Sequence, residues 1–150
     1  GPVEIGGVLQ GNAYYMVPRC MEAVIPRTTD FVLRHAGYHP RLTLSTVEAE
    51  NCSGDVYRIR ATAANIGGLG TVVMQGGGGP EHRHPVQLRV DLPANARLLS
   101  RCSIVEIAAL PPAGGKGYAE WFVEASGGTD VTVRAEHPRG GITETIVRLN

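Results

Sequence analysis

The segment Val56-Tyr57-Arg58-Ile59-Arg60-Ala61-Thr62-Ala63-Ala64-Asn65 alternates apolar and polar residues with period two, then stops at Asn65-Ile66-Gly67-Gly68. Strict alternation places Tyr57, Ile59, Ala61 and Ala63 on one face, as in a β-strand that buries one side. Asn and a glycine pair tolerate the positive φ of a turn, so the strand is expected to end there. A chain built on such segments folds by stacking sheets, because each strand has one apolar face to cover.

The same reading extends along most of the sequence. Leu42, Leu44 and Thr46 alternate ahead of a turn at Asn51-Cys52-Ser53-Gly54-Asp55. Thr71 to Gln75 reads as a third strand, followed by a connector from Gly76 to Pro80. Val86, Leu88 and Val90 alternate cleanly; Leu98 and Ser103 to Ile107 do so less cleanly. Tyr118 to Ala125 holds the sole tryptophan, Val131, Val133 and Ala135 mark a further strand, and Ile142 to Leu149 the last. Twenty glycines and ten prolines suit short strands joined by tight turns. The expected fold is all-β: an antiparallel immunoglobulin/fibronectin-like β-sandwich of about seven to eight strands, preceded by a short helical segment.

That helical segment falls between Pro18 and Ala36. Met21, Val24 and Ile25 recur at helical spacing, and Thr28, Thr29 and Asp30 offer N-caps ahead of Phe31-Val32-Leu33-Arg34-His35. Pro26 predicts two short pieces instead of one rod, and Gly37 a helix stop. The expected organisation is an extended tail over 1–17, a helical connector over 18–39 and the sandwich over 40–150.

Charge narrows the function classes. Fourteen basic and fourteen acidic residues give a formal net charge of zero, which does not suit a surface that must displace counterions from nucleic acid. Arg58, Arg60, Arg89 and Arg134 sit singly along strands, as on solvated faces. Neither a long apolar run nor a basic-then-apolar leader occurs within the chain, so no membrane partner is expected and no address label is carried by these residues. Cys20, Cys52 and Cys102 are widely spaced without a Cys-x-x-Cys pair, which disfavours structural zinc or a thioredoxin-like centre. They read as buried or half-buried free thiols, with a Cys52–Cys102 disulfide as the alternative in an exported protein.

Catalytic patterns are sparse. None of His35, His39, His82, His84 and His137 is followed by Glu three residues on. His82 and His84 would point the same way in an extended segment, making them weak metal candidates; a pair supplies only two ligands. Gly114-Gly115-Lys116-Gly117 lacks the glycine and hydroxyl of a phosphate loop and reads as a turn after Pro111-Pro112. No Gly-x-Ser-x-Gly elbow is present. Glu48, Glu50, Glu106, Glu120, Glu124, Glu136 and Glu144 occupy outward strand positions. Trp121 reads as core, and with one Trp, five Tyr and two Phe a flat stacking strip for sugars has little support. No catalytic residue and no cofactor are expected within the chain.

Several segments in fixed order bear on kinship: Val3-Glu4-Ile5-Gly6-Gly7, a helix with Glu22 and Phe31, Pro40-Arg41-Leu42, Gly54-Asp55-Val56-Tyr57-Arg58-Ile59-Arg60-Ala61 ending in Asn65-Ile66-Gly67, Trp121-Phe122-Val123, Val131-Thr132-Val133 and Pro138-Arg139-Gly140-Gly141. Together they resemble the end of the catalytic domain and the β-rich extension of bacterial zinc carboxypeptidases of the carboxypeptidase A-like (funnelin) superfamily, with a one-residue departure in spacing after Gly54. The resemblance implies a parent enzyme whose zinc, held by two His and one Glu, lies before Gly1 with the general-base Glu and the substrate-binding Arg. Residues 1–17 would then be the exit segment of that domain. The chain itself would be a noncatalytic accessory domain packing on its own upstream peptidase domain, with Val3, Ile5, Tyr14 and Tyr15 facing that partner. The alternative is a cell-wall or carbohydrate-binding module that brings the peptidase to its substrate. A free-standing hydrolase using His82, His84 and a distant acid is the third reading.

Overall fold

The computed structural model describes residues 18–72 and 84–150. Val3, Ile5, Tyr14, Tyr15, His82, the tail over 1–17 and the connector from Gly76 to Pro80 lie outside them. The chain divides into two units, Gly1–Gly37 and Tyr38–Asn150.

In the first unit, α1 runs as one helix over Pro18–Gly37 with Pro26 inside it. The two pieces expected from Pro26 are therefore joined. A proline removes one backbone donor from the ladder, and residues on either side keep helical geometry through that gap. Thr28, Thr29 and Asp30 lie within the helix and cap nothing; Asp30 instead pairs with Arg34 one turn on, at 3.0 Å. Val24 is half-buried, whereas Ile25, Phe31, Val32 and Leu33 are exposed.

The second unit is an antiparallel β-sandwich. Its strands are β1 (Leu42–Ser53), β2 (Val56–Asn65), β3 (Val86–Asp91), β4 (Ala96–Leu98), β5 (Ile104–Ile107), β6 (Gly115–Ala125), β7 (Asp130–His137) and β8 (Gly141–Arg148). They form two four-stranded sheets, ordered β1-β2-β6-β4 and β5-β3-β7-β8. This is the A-B-E-D and C′-C-F-G layout of immunoglobulin-like sandwiches. Two of the four edge strands are entered in reversed order, since β4 crosses to the first sheet before β5 returns to pair with β3.

The inward faces follow period two. Tyr57, Ile59, Ala61 and Ala63 of β2 meet Ala119, Trp121, Val123 and Ala125 of β6 on one sheet. Val86, Leu88 and Val90 of β3 and Val131, Val133 and Ala135 of β7 supply the other. Trp121 is fully buried, and its indole N–H finds no acceptor among the described residues. An orphaned donor of that kind costs about 1–3 kcal/mol, which the ring's packing has to exceed.

Three local departures from the expected pattern matter. In β1 the register slips between Leu44 and Thr46, so Ser45 forms a bulge. The expected Leu42-Leu44-Thr46 face therefore breaks: Thr46 is exposed and Val47 and Ala49 turn inward. The strand expected from Thr71 to Gln75 is also absent where it is described, because Thr71 and Val72 are irregular; Val73 to Gln75 lie outside the described residues. The turn expected over Gly114 to Gly117 falls instead on 112–114, with Ala113 and Gly114 at positive φ, and Gly115 to Gly117 already pair in β6.

Candidate functional site

Three of the motifs, Pro40-Arg41-Leu42, Asn65-Ile66-Gly67 and Pro138-Arg139-Gly140-Gly141, meet at the end of β2. Asn65 is completely buried. Its carbonyl oxygen accepts from the backbone N–H groups of Arg41 and Gly67, both at 3.0 Å. Its amide nitrogen donates to the carbonyls of Leu69 at 2.8 Å and Pro111 at 3.1 Å. Asn65 thus ties together the entry to β1, the chain beyond β2 and the approach to β6. A neutral amide is the one side chain of this size that both accepts and donates twice.

Gly67 and Gly68 are not at positive φ, contrary to the turn role expected of them. A Cβ on Gly67 would run into the His39 carbonyl and the Pro40–Arg41 backbone, so the glycine serves close approach of two chain segments. Thr71 continues the knot: its hydroxyl accepts from Leu110 N–H at 2.8 Å, and its carbonyl accepts from Arg139 at 2.6 Å. The buried polar side chains of this corner, Asn65 and Thr71, are matched, which is the condition for burying them at all.

His137 ends β7 and is buried. Its Nε2 lies 3.1 Å from the His84 carbonyl, which can only accept, so Nε2 carries the proton. Its Nδ1 accepts from the N–H groups of Arg139 and Gly140 at 3.3 and 3.0 Å. Burial lowers its pKa below the ordinary value, the charges of Arg139 and His84 act in the same sense, and the bond to His84 opposes them. Nδ1 is committed to the Pro138-Arg139-Gly140 turn and Nε2 to the His84 carbonyl, so neither is open to a ligand.

The candidate His84 is exposed, and it borders an open groove of about 460 Å³ with Gln87, Glu136, Pro138 and Ile142. Its partner in the weak metal pair, His82, lies outside the described residues. Among the described residues no three His, Cys, Asp or Glu side chains converge as a metal site. Cys52 and Cys102 are free thiols as expected, not joined in the alternative disulfide, but exposed where buried or half-buried thiols were expected. They sit at the β1–β2 hairpin and before β5, where chain turns leave little apolar cover.

The outward face of the β1-β2-β6 sheet carries a second, shallower groove of about 300 Å³. Register aligns three rows across it: Thr46–Thr62–Tyr118, Glu48–Arg60–Glu120 and Glu50–Arg58–Phe122. Arg60 Nε lies 3.3 Å from Glu120, and Arg58 lies 2.5 Å from Glu50. The Arg58 guanidinium, and after it Arg60, holds the Glu50 carboxyl below the usual carboxylate range. Tyr118 is 68 % exposed and Phe122 38 %. The sequence showed Trp121 as core, and it is; the two aromatics on either side of it in the alternation face solvent.

Fold and geometry together define a β-sandwich module of the immunoglobulin-like class, three of its motifs meeting at one polar corner and two others running in its core strands. A family model described as DUF8731, a domain of unknown function, matches residues 41–148, so the chain belongs to that family. No curated protein matches it.

Proposed function

We propose that the chain is a noncatalytic accessory module of a zinc metallocarboxypeptidase, packing on or positioning the peptidase domain. The observation that carries this reading is where the ordered motifs fall. Pro40-Arg41-Leu42 enters β1, Asn65-Ile66-Gly67 closes β2, Trp121-Phe122-Val123 lies in β6 and Pro138-Arg139-Gly140-Gly141 turns β7 into β8. Their inward or corner members (Asn65, Gly67, Trp121, Arg139) hold the sandwich together, which is the use expected of motifs in a supporting domain. The apolar residues Ile25, Phe31 and Val32 exposed on α1 suit a connector that a neighbouring domain covers.

The gene encoding this chain provides the test. The reading expects a zinc site of two His and one Glu before Gly1, and release of C-terminal residues from peptides by the full-length product. Deletion of residues 38–150 is expected to leave zinc content intact while lowering thermal stability. A full-length product that neither binds zinc nor trims peptides overturns the reading. So does peptidase activity of the 1–150 chain alone after loading with zinc.

A further inference from the structure

We infer that the outward face of the β1-β2-β6 sheet is a binding site for an uncharged, hydroxyl-rich glycan chain, with Tyr118 as its stacking platform. The site stands on the sheet geometry and is independent of the peptidase reading.

Tyr118 lies on β6, which is paired with β2 along its whole length, and yet its ring remains largely in solvent. Beside the ring are the Thr46 and Thr62 hydroxyls, and one row further on stand Glu48, Arg60 and Glu120. A sugar ring has an apolar C–H face and an edge of hydroxyl groups. The phenol ring offers a surface for the first, and the carboxylates and guanidinium offer acceptors and donors for the second. Phe122 follows four residues along the same strand, about 13–14 Å away at ~3.4 Å per residue. A linear oligosaccharide lying along β6 would reach both rings and cross the Arg60–Glu120 row between them.

Other ligand classes fit this face less well. Arg58 and Arg60 are each paired with a carboxylate, and with Lys116 beside Tyr118 the face carries three cations against three glutamates, so it has no cationic excess to attract an anion. An extended peptide adds through backbone hydrogen bonds in the plane of a sheet, at an edge such as that of β1, and does not lie across the outward face. An apolar partner would have to bury the charged row separating the two aromatic rings.

The test is isothermal titration of the 1–150 chain with two neutral β-1,4-linked oligosaccharides, one of glucose and one of N-acetylglucosamine, at millimolar concentration. Binding of either supports the site, and the arm that binds identifies the sugar. Tyr118→Ala is expected to weaken that binding at least tenfold with its melting temperature unchanged, because the ring is exposed. Ile146→Ser, on the other sheet, is expected to bind as the parent chain does. Absence of binding in both arms overturns the inference. Binding that survives Tyr118→Ala, or that occurs only with a polyanionic glycan or a peptide, overturns it as well.

Discussion

Replacing Asn65 by alanine separates a side chain that holds the fold from one that merely ends a strand. The alanine loses four hydrogen bonds of 2.8 to 3.1 Å, two accepted and two donated. At a net 0.5–1.5 kcal/mol each, their sum is about 2–6 kcal/mol. Because the partners are backbone groups at a buried corner, little of this is recovered from water, and a loss of about 3–5 kcal/mol is expected. Against a total of about 5–15 kcal/mol for a domain of this size, that is severe. It corresponds to a fall in melting temperature of roughly 12–20 °C, at about 4 °C per kcal/mol. Urea unfolding monitored through the fluorescence of the sole, fully buried tryptophan, Trp121, measures it directly. The midpoint should fall with the slope unchanged. Asn65→Asp sharpens the test, because it conserves shape. Its one oxygen still accepts from Arg41 and Gly67, but the other meets the Leu69 and Pro111 carbonyls. At pH 7 it should destabilise at least as much as alanine, with partial recovery in acid, where a protonated carboxyl donates one bond. A cost below about 1 kcal/mol for alanine, or a neutral effect of aspartate, would refute the reasoning.

Gly67→Ala should cost about 2 kcal/mol or more through collision with the His39–Arg41 backbone, and because φ is not positive there, serine should behave like alanine in the same urea assay. His137 makes stability pH-dependent with a defined sign. Its folded pKa is lowered, so above about 6.5 its contribution is complete, and below that the unfolded chain takes up the proton first and stability declines toward the lowered folded value. Urea midpoints between pH 8 and 5 should show that decline, and His137→Asn, which retains an acceptor near the Nδ1 position, should flatten it. Cys52 and Cys102 should both react with iodoacetamide in the native state without prior reduction, as mass spectrometry of tryptic peptides would reveal; protection of either until a reductant is added would contradict their free, exposed placement.

The faces of the central strands were legible in the sequence. Tyr57, Ile59, Ala61 and Ala63 on β2, and Val86, Leu88 and Val90 on β3, alternate because a pleated chain turns successive side chains to opposite sides, a purely local property. The same local rule identified Trp121 as core. It failed at Ser45, where a bulge shifts the phase of β1 in response to pairing with β2, and at Pro26, where the chain on both sides keeps the helix going. Local propensity rightly ended β2 at Asn65 but gave the glycine pair a positive-φ turn role, since a turn and a buried junction ask for the same residue types.

What the tertiary structure alone decided is which distant residues share a place. The union of buried Asn65, Thr71 and Leu110 with Arg41 and Arg139 in one corner depends on segments far apart in the chain. So do the reversed entry of the edge strands β4 and β5 and the rows Thr46–Thr62–Tyr118 and Glu48–Arg60–Glu120. Alternation says that a residue faces outward; only cross-strand register says beside what. A slip of one residue would send every one of these side chains to the opposite face. The sequence therefore determined the sandwich and its core faces, and pairing between strands determined where its chemistry lies.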